Sequence, residues 1–335
     1  LGVIYYSQGR YPEAEALYLR SLKACTRVFG PMHPDTLDSK SDLASLYYSQ
    51  GRFDDAEGLY LRALEAREQT LGPEHPSTLG NVNNLAVLYQ SQGRSDKAEP
   101  LYLRALEASE RILGAEHPAT LLSVDNLGII FRHQGRFADA EKLCLRAMKA
   151  RERTLGQDHP ATIESMNSLA GLHYFAGRYD KAERLCIHVL EIRERTLGLD
   201  HPKTLLSVNN LGALYFSQKR YEDAEPLYVR ALETRRHALG AEHPSTLLSE
   251  NNLAGLYNSR GENAKAKTLF LQVLQARERT LGEDHPDTLV TVKDLAKLSV
   301  TQGRFIEAEI LYCRALKTED QQLGENHPDT LVTVN

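Results

Sequence analysis

The stretch LGPEHPSTLGNVNNLAVLYQSQGR, residues 71–94, joins a His-Pro pair to a run of apolar residues at helical spacing. Apolar residues that recur every three or four positions mark one side of an amphipathic helix. In this stretch they are Leu79, Val82, Leu85, Ala86 and Tyr89. The segment DKAEPLYLRALEASERILG, residues 96–114, shows the same spacing at Ala98, Leu101, Tyr102, Ala105 and Leu106. The sequence therefore predicts two amphipathic helices here.

This helix pair recurs along the whole chain. The His-Pro pair returns every 42 residues, at His33, His75, His117, His159, His201, His243, His285 and His327. Such a period is typical of stacked repeats, because one helix pair cannot bury its apolar side alone. We therefore predict a single all-α solenoid over residues 1–335, with about eight repeats of 42 residues. Its first and last repeats are incomplete, which we interpret as a piece cut from a longer chain.

Each repeat carries its own helix boundaries. Pro76 suits the first helical turn, where its missing N–H is not needed. Gly93 and Gly114 are expected to end the first and second helix in a left-handed conformation. The His-Pro histidines are predicted to be loop or capping residues, because packed helices lie roughly 8–10 Å apart, too far to share a metal ion. Cys144 and Cys186 are 42 residues apart and are expected to be small buried apolar residues, not a disulfide.

The consensus of the repeats, LGxEHPxTL…NNLAxLY…GRYxxAExLYxRALExRERTLG, resembles a tetratricopeptide repeat. Its period of 42 residues is similar to the kinesin-light-chain type of that repeat, and it also resembles arrays found behind signalling NTPase domains. The resemblance covers the whole chain. It implies a right-handed superhelix of antiparallel helix pairs, in which peptides bind to a concave wall formed by one face of each first helix.

That wall, the groove face, is the side of the first helix opposite its apolar stripe. Counted from the threonine after each His-Pro pair, such as Thr78, the groove face comprises offsets 2, 5, 6, 9, 12 and 13. Offsets 5 and 6 are mostly amides, which can pair with the backbone of an extended peptide, and offset 9 is small or apolar in the middle repeats. The predicted peptide-binding residues are Asn83, Asn84, Asp125, Asn126, Arg132, Asn167, Tyr174, Asn209, Asn210, Phe216, Asn251, Asn252, Lys293 and Lys297.

A structural role for the asparagines is the alternative. One Asn of each pair then bridges helices or neighbouring repeats and satisfies buried backbone groups. The helical wheel leaves both roles open. On the second helices, arginines such as Arg62 and Arg104 precede acids by three positions in several repeats, which is typical of a solvated helix surface.

Composition narrows the class of protein. The 41% of hydrophobic residues can build a core, while no apolar run approaches the roughly 20 residues of a membrane helix. The 45 acids and 40 bases are interleaved, which favours neither nucleic acid nor a membrane as partner. The cysteines form no CxxC pair and there is no N-x-[ST] site, so we expect a soluble, cytoplasmic protein.

The sequence carries none of the common catalytic motifs. P-loop, GxSxG and HExxH patterns are missing, so we predict no enzyme activity, cofactor, metal site or small-molecule substrate. We predict an interaction scaffold that binds an extended peptide or a partner domain in its concave groove. The alternative is a sensor or regulatory region of a larger signalling NTPase or protease, whose catalytic domain lies outside this chain.

Overall fold

The computed structural model describes residues 1–7, 10–322 and 328–334. Its regular secondary structure there is entirely α-helical. The helices are α1 (Gly2–Ser7), α2 (Tyr11–Phe29), α3 (Pro34–Ser49), α4 (Phe53–Leu71), α5 (Pro76–Ser91), α6 (Ser95–Leu113), α7 (Pro118–His133), α8 (Phe137–Leu155), α9 (Pro160–Phe175), α10 (Tyr179–Leu197), α11 (Pro202–Ser217), α12 (Tyr221–Leu239), α13 (Pro244–Ser259), α14 (Asn263–Leu281), α15 (Pro286–Thr301), α16 (Phe305–Gln322) and α17 (Pro328–Val334). Odd-numbered helices are the first helices of the repeats and even-numbered ones the second.

The chain forms two compact halves, Leu1–Arg151 and Glu152–Asn335. Within each half, helices that follow one another in the chain pack together. First helices of neighbouring repeats also touch, as α3 does with α5 and α13 does with α11 and α15. The predicted all-α solenoid of repeated helix pairs is confirmed.

The His-Pro histidines cap the first helices. Seven of them, from His33 to His285, accept a hydrogen bond at Nδ1 from the backbone N–H two residues later, at 3.1–3.2 Å. This bond satisfies one of the N–H groups that a helix start leaves unpaired. The predicted capping role is confirmed for these seven, whereas His327 lies outside the described residues.

The two glycines that end the helices of a repeat adopt different conformations. Gly93 follows the first helix with φ 71°, in the left-handed region as predicted. Gly114 follows the second helix with φ 92° and ψ 160°, so its positive φ is combined with an extended ψ. The expectation that Gly114 repeats the part of Gly93 is therefore wrong, although both conformations favour glycine.

An arginine in the turn after the first helix links neighbouring repeats. Arg52 and Arg220 bond to Glu15 and Glu183 on the preceding second helix, at 3.0 and 2.9 Å. Their guanidinium carbons also lie 3.8 and 4.1 Å from the centres of aromatic rings in the first helix. The ion pair joins one repeat to the next, and the ring contact holds the arginine against the first helix of its own repeat.

One core position of the second helix, aromatic in several repeats and cysteine in two, faces a small residue of the first helix. Tyr228 is 3% exposed and packs so closely on Gly212 that an added Cβ would lie 2.9 Å from the ring. Cys144 takes the same place opposite Gly128, with Sγ 3.6 Å from an added Cβ. Cys144 is buried, Cys186 is partly buried, and burial raises the pKa of both thiols to about 11. Both are free, as expected for packing residues.

Arginines on the second helices pair differently from the prediction. Arg104, Arg146 and Arg230 form salt bridges of 2.5–2.6 Å with glutamates on the preceding second helix, 36 residues earlier. Arg104 and Arg230 do not form the predicted pair with the acid three residues later, and Arg146 has Lys149 at that place. Stacking instead brings the later part of one second helix within reach of the middle of the next. About two thirds of each side chain is covered, so these residues belong to the contact between repeats.

Lys219 occupies a turn position that is glycine in the other described repeats. Its φ is 59°, and its N–H donates to the Phe216 carbonyl at 2.9 Å, as Gly177 does to Tyr174 at 3.0 Å. A side chain is disfavoured at positive φ. Lys219→Gly is therefore expected to raise the free energy of unfolding by about 0.5–1 kcal/mol, measured by urea denaturation. Gly177→Lys should lower it by a similar amount, and a less stable Lys219→Gly protein would contradict this account.

Candidate peptide-binding surface

The predicted groove residues differ in depth according to their offset. Asn209 and Asn251, at offset 5, are only 7% and 6% exposed. Asn84 at offset 6 and Lys297 at offset 9 are exposed, and the other predicted residues are half-buried. Offset 5 therefore lies at the floor of the groove face, and offsets 6 and 9 lie nearer to solvent.

In the C-terminal half, side-chain amides connect the first helices in what we call the asparagine ladder. Asn210 Nδ2 donates to Asn167 Oδ1 at 3.4 Å, and Asn252 Nδ2 donates to Asn209 Oδ1 at 3.1 Å. A third bond runs from Asn251 Nδ2 to the Asp294 carboxylate at 2.9 Å. Each bond joins offset 5 of one repeat to offset 6 of the next, so these asparagines bridge repeats.

The ladder leaves hydrogen-bonding groups unused. A carboxamide has two N–H donors and one acceptor oxygen, so Asn210 and Asn252 each spend only one donor on it. Asn251 Oδ1 has no donor, and neither has Asn83 Oδ1 in the N-terminal half, but both oxygens are buried. The Asp294 bond fixes the orientation of the Asn251 amide, since only its nitrogen can donate to a carboxylate. Bridging and ligand binding are thus compatible roles.

The N-terminal half brings together a second group of predicted residues. Asn84 lines a polar pocket of about 440 Å³ between α3 and α5, together with Asp42 and Arg67. Asp125 forms a salt bridge of 2.6 Å with Arg151, and burial raises the pKa of its carboxyl nevertheless. Asn126 is half-buried beside it in sequence.

Arg132 lies near the end of α7, with Nη2 3.2 Å from His133 Nε2. Burial lowers the pKa of both groups, and the Arg132 charge lowers that of His133 further. Both effects keep His133 neutral, so the positive charge of this pair is that of Arg132.

Aromatic residues gather near the ends of α9 and α11. The Tyr174 ring centre lies 5.3 Å from that of Phe175 and 5.9 Å from that of Tyr179. Its hydroxyl is 2.7 Å from Ser217 Oγ on the next first helix. Phe216 packs against Tyr221 with ring centres 5.7 Å apart. Phe175 is 59% exposed and offers the most open aromatic surface of the group.

The two predicted lysines are paired within the protein. Lys293 Nζ lies 2.6 Å from a carboxylate oxygen of Glu319, and the Glu319 side chain is 5% exposed. Lys297 Nζ lies 3.2 Å from Asp294 in the same helix. Neither lysine therefore presents an isolated positive charge.

Offset 9 provides open space between these polar groups. It is occupied by Gly171, Ala213 and Gly255 in three successive repeats of the C-terminal half. A Cβ added to Gly255 would meet no atom within 4 Å. Small side chains at this position leave room for another polypeptide beside the asparagine ladder.

Arginines at one repeated position of the second helices were missed by the sequence prediction. Arg67, Arg193, Arg235 and Arg277 are 1–5% exposed, and Arg151 occupies the same repeat position. In the N-terminal half, Arg67 lines the polar pocket and Arg151 bonds to offset 5 of the adjacent first helix. In the C-terminal half, Arg193 bonds to Glu164 at offset 2, so in each half these arginines border the groove face. The signal was present: each of these arginines comes seven residues after the core residue at the Tyr60 position, on the apolar side of its helix.

Comparison with known proteins agrees with this architecture. The sequence model described as tetratricopeptide repeat matches residues 1–69, 39–80, 78–137, 119–185, 166–237, 206–275 and 245–321. The chain belongs to the tetratricopeptide repeat family. Tetratricopeptide repeats (TPRs) generally mediate protein–protein interactions, and arrays of them are typically non-catalytic. No curated protein matches the chain.

Solved structures resemble this TPR array over most of its length. BtubC (BKLC) from P. vanneervenii is 28% identical, with a TM-score of 0.58 over 70% of this chain and 94% of that one. A protein assigned as a kinesin light chain with nearly identical TPR-like repeats, from Podosopora anserina, is 29% identical, with a TM-score of 0.54 over 62% of this chain and 97% of that one. RapI without ligand shares the fold at 14% identity, with a TM-score of 0.62 over 87% of this chain and 99% of that one.

Two further properties bear on function. Across residues 1–7, 10–322 and 328–334, no three His, Cys, Asp or Glu side chains meet as a possible metal site. Within the same residues, no helix is long and apolar enough to cross a membrane.

Proposed function

We propose that this TPR array is a non-catalytic scaffold that binds an extended segment of a partner protein along the first helices of Glu152–Asn335. The observation that carries the proposal is the open space at Gly255, beside Asn210 and Asn252, amides that each keep one N–H donor free. A peptide backbone offers one N–H and one C=O per residue, which suits such amides. The aromatic surface at Phe175 suits an apolar side chain of the same segment.

The four free thiols, Cys25, Cys144, Cys186 and Cys313, support a reducing compartment for this function. We therefore place the scaffold in the cytoplasm. The interleaved charges support a protein partner over nucleic acid or a membrane surface.

Filling the groove tests the proposal better than removing its asparagines, because the ladder also joins neighbouring repeats. Peptides selected on the parent protein from a random display library serve as probes, and their Kd is measured by fluorescence anisotropy. Gly255→Trp should weaken their binding at least about tenfold, equal to about 1.4 kcal/mol, by occupying the space that the peptide needs.

Glu233→Trp is the matched control, because Glu233 is exposed and precedes the buried Arg235 by two positions, which places it on the opposite side of α12. The Glu233→Trp protein should bind the peptides with the same Kd as the parent protein. Selected peptides that bind Gly255→Trp as tightly as Glu233→Trp would refute the proposal.

A further inference from the structure

The polar pocket between α3 and α5 has a glycine at its wall. Gly80 lies at offset 2 of α5, where α7 has Leu122 and α11 has Leu206. A Cβ added to Gly80 would meet no atom within 4 Å, so packing does not require a glycine there. Glycine inside a helix is destabilising relative to residues with a side chain. The glycine therefore lowers the stability of α5 and keeps about 440 Å³ of space open beside the helix.

The side chains that line this pocket include two acids and one base. Asp38 forms a salt bridge of 2.5 Å with Arg67. Asp42 lines the pocket as well, and no basic side chain of the described residues lies within salt-bridge distance of it. Partial burial and the charge of Asp38 both raise the pKa of Asp42. A monovalent cation beside Asp42 would balance the charge of the pocket, whereas the nearby Arg67 disfavours a divalent metal ion.

A buried amide at the same pocket has an acceptor without a donor. Asn81 lines the pocket, is 1% exposed, and donates from Nδ2 to the Tyr60 carbonyl at 2.9 Å. Its Oδ1 accepts no hydrogen bond from any described residue. At the equivalent place in the C-terminal half, Ser207 Oγ accepts from Arg193 at 2.8 Å, whereas Arg67 Nη1 donates to a backbone carbonyl instead. An unpaired buried oxygen is unfavourable, which favours a ligand that brings N–H donors to this pocket.

The C-terminal half shows the equivalent carboxylate with a lysine beside it. Asp294 lies at offset 6, as Asp42 does, and Lys297 Nζ is 3.2 Å from its carboxylate. That lysine occupies offset 9 of the same helix, where α3 has Ser45. The lysine that α3 does carry, Lys40, bonds to a backbone carbonyl before the helix at 3.2 Å. The contact that Asp294 makes within its own helix is therefore open to an external ammonium group at Asp42.

We propose that the polar pocket of Leu1–Arg151 is a second protein-binding site, which takes the ammonium group of a lysine side chain from a partner protein. The ammonium donates to the Asp42 carboxylate and to Oδ1 of Asn84, and the methylene stem occupies the space beside Gly80. Lysine suits the pocket better than arginine, because its compact ammonium carries three donors on a flexible stem, whereas a planar guanidinium favours a flat bidentate partner. The site lies outside Glu152–Asn335 and does not rest on the proposed function.

The test uses two labelled nine-residue peptides, one that alternates alanine with lysine and a twin with Nε-acetyl-lysine in place of lysine. Fluorescence anisotropy gives their Kd in about 0.15 M salt, where exposed charges more than about 8 Å apart are largely screened. The parent protein should bind the lysine peptide at least about tenfold more tightly, and Asp42→Asn should abolish that preference. Asparagine stands at the same offset in α5, as Asn84, so the helix tolerates it. Asp54→Asn, which removes an equal charge from an exposed place in the first turn of α4, should retain the preference.

Gly80→Leu fills the space without touching a charge. It should lose the lysine preference and yet unfold at a higher temperature than the parent, because leucine is the better helix former, so loss of the fold cannot explain the result. Equal binding of the two peptides by the parent, including binding of neither, would overturn the inference. A preference that survives in Asp42→Asn or Gly80→Leu, or that Asp54→Asn also removes, would overturn it too. Gly255→Trp should leave the lysine preference unchanged, so this site and the proposed function can fail separately.

Discussion

Tyr228→Ala is expected to lower the free energy of unfolding of the C-terminal half by about 3–5 kcal/mol, the usual cost of removing a large buried aromatic ring. Tyr228 is 3% exposed and packs with Ala224, Leu232, Leu253 and Leu256. The cavity would lie between three successive helices, α11 to α13, which cannot collapse around it without disturbing neighbouring repeats. Amide hydrogen exchange and urea denaturation measure the effect, since long arrays need not unfold in two states.

Tyr228→Phe is the control for that change. Phe270 occupies the equivalent place in the next repeat, 1% exposed, so the ring without its hydroxyl is known to fit. We expect Tyr228→Phe to stay within about 1 kcal/mol of the parent. An alanine variant as stable as the phenylalanine variant would show that this ring does not hold the repeat together.

Arg193→Ala is expected to lower the free energy of unfolding by about 2–4 kcal/mol, because it leaves a cavity and removes two hydrogen bonds donated by a charged group. Arg193 is 1% exposed, and its Nη1 joins the end of α10 to the start of α11 through the Lys203 carbonyl and Ser207 Oγ. Urea denaturation again provides the measurement.

Glu164→Gln separates the ion pair from those hydrogen bonds. The Glu164 side chain is 48% exposed, so solvent screens its charge and the substitution should cost at most about 1 kcal/mol. A glutamine variant that loses as much stability as Arg193→Ala would mean that the salt bridge, and not the hydrogen bonding, fixes Arg193.

The periodicity was sufficient to predict the helix pairs and their boundaries. Seven copies of one cap, such as His75 bonded to the Ser77 N–H, make the position of each first helix readable from a His-Pro pair. Gly114 shows a limit of this prediction. A glycine after a helix indicates a positive φ, but the residue type does not predict whether ψ is helical or extended.

The candidate site was only partly predictable. A helical wheel places Asn209 and Asn252 on the groove face, but their mutual hydrogen bond depends on how far one repeat is displaced from the next. Arg235 was missed although its place on the apolar side of its helix was readable from the sequence, because residue spacing does not show which acids come within reach of a buried guanidinium.

The central claim, that a partner segment lies along the first helices, is tested most directly by site-specific photo-crosslinking. A benzophenone amino acid is placed at Gly255 in one protein and at Glu233 in another, and each is irradiated with a library-selected labelled peptide. We predict a covalent adduct from position 255 and none above background from position 233. Adducts from position 233 alone, or equally from both positions, would contradict a binding site on the groove face.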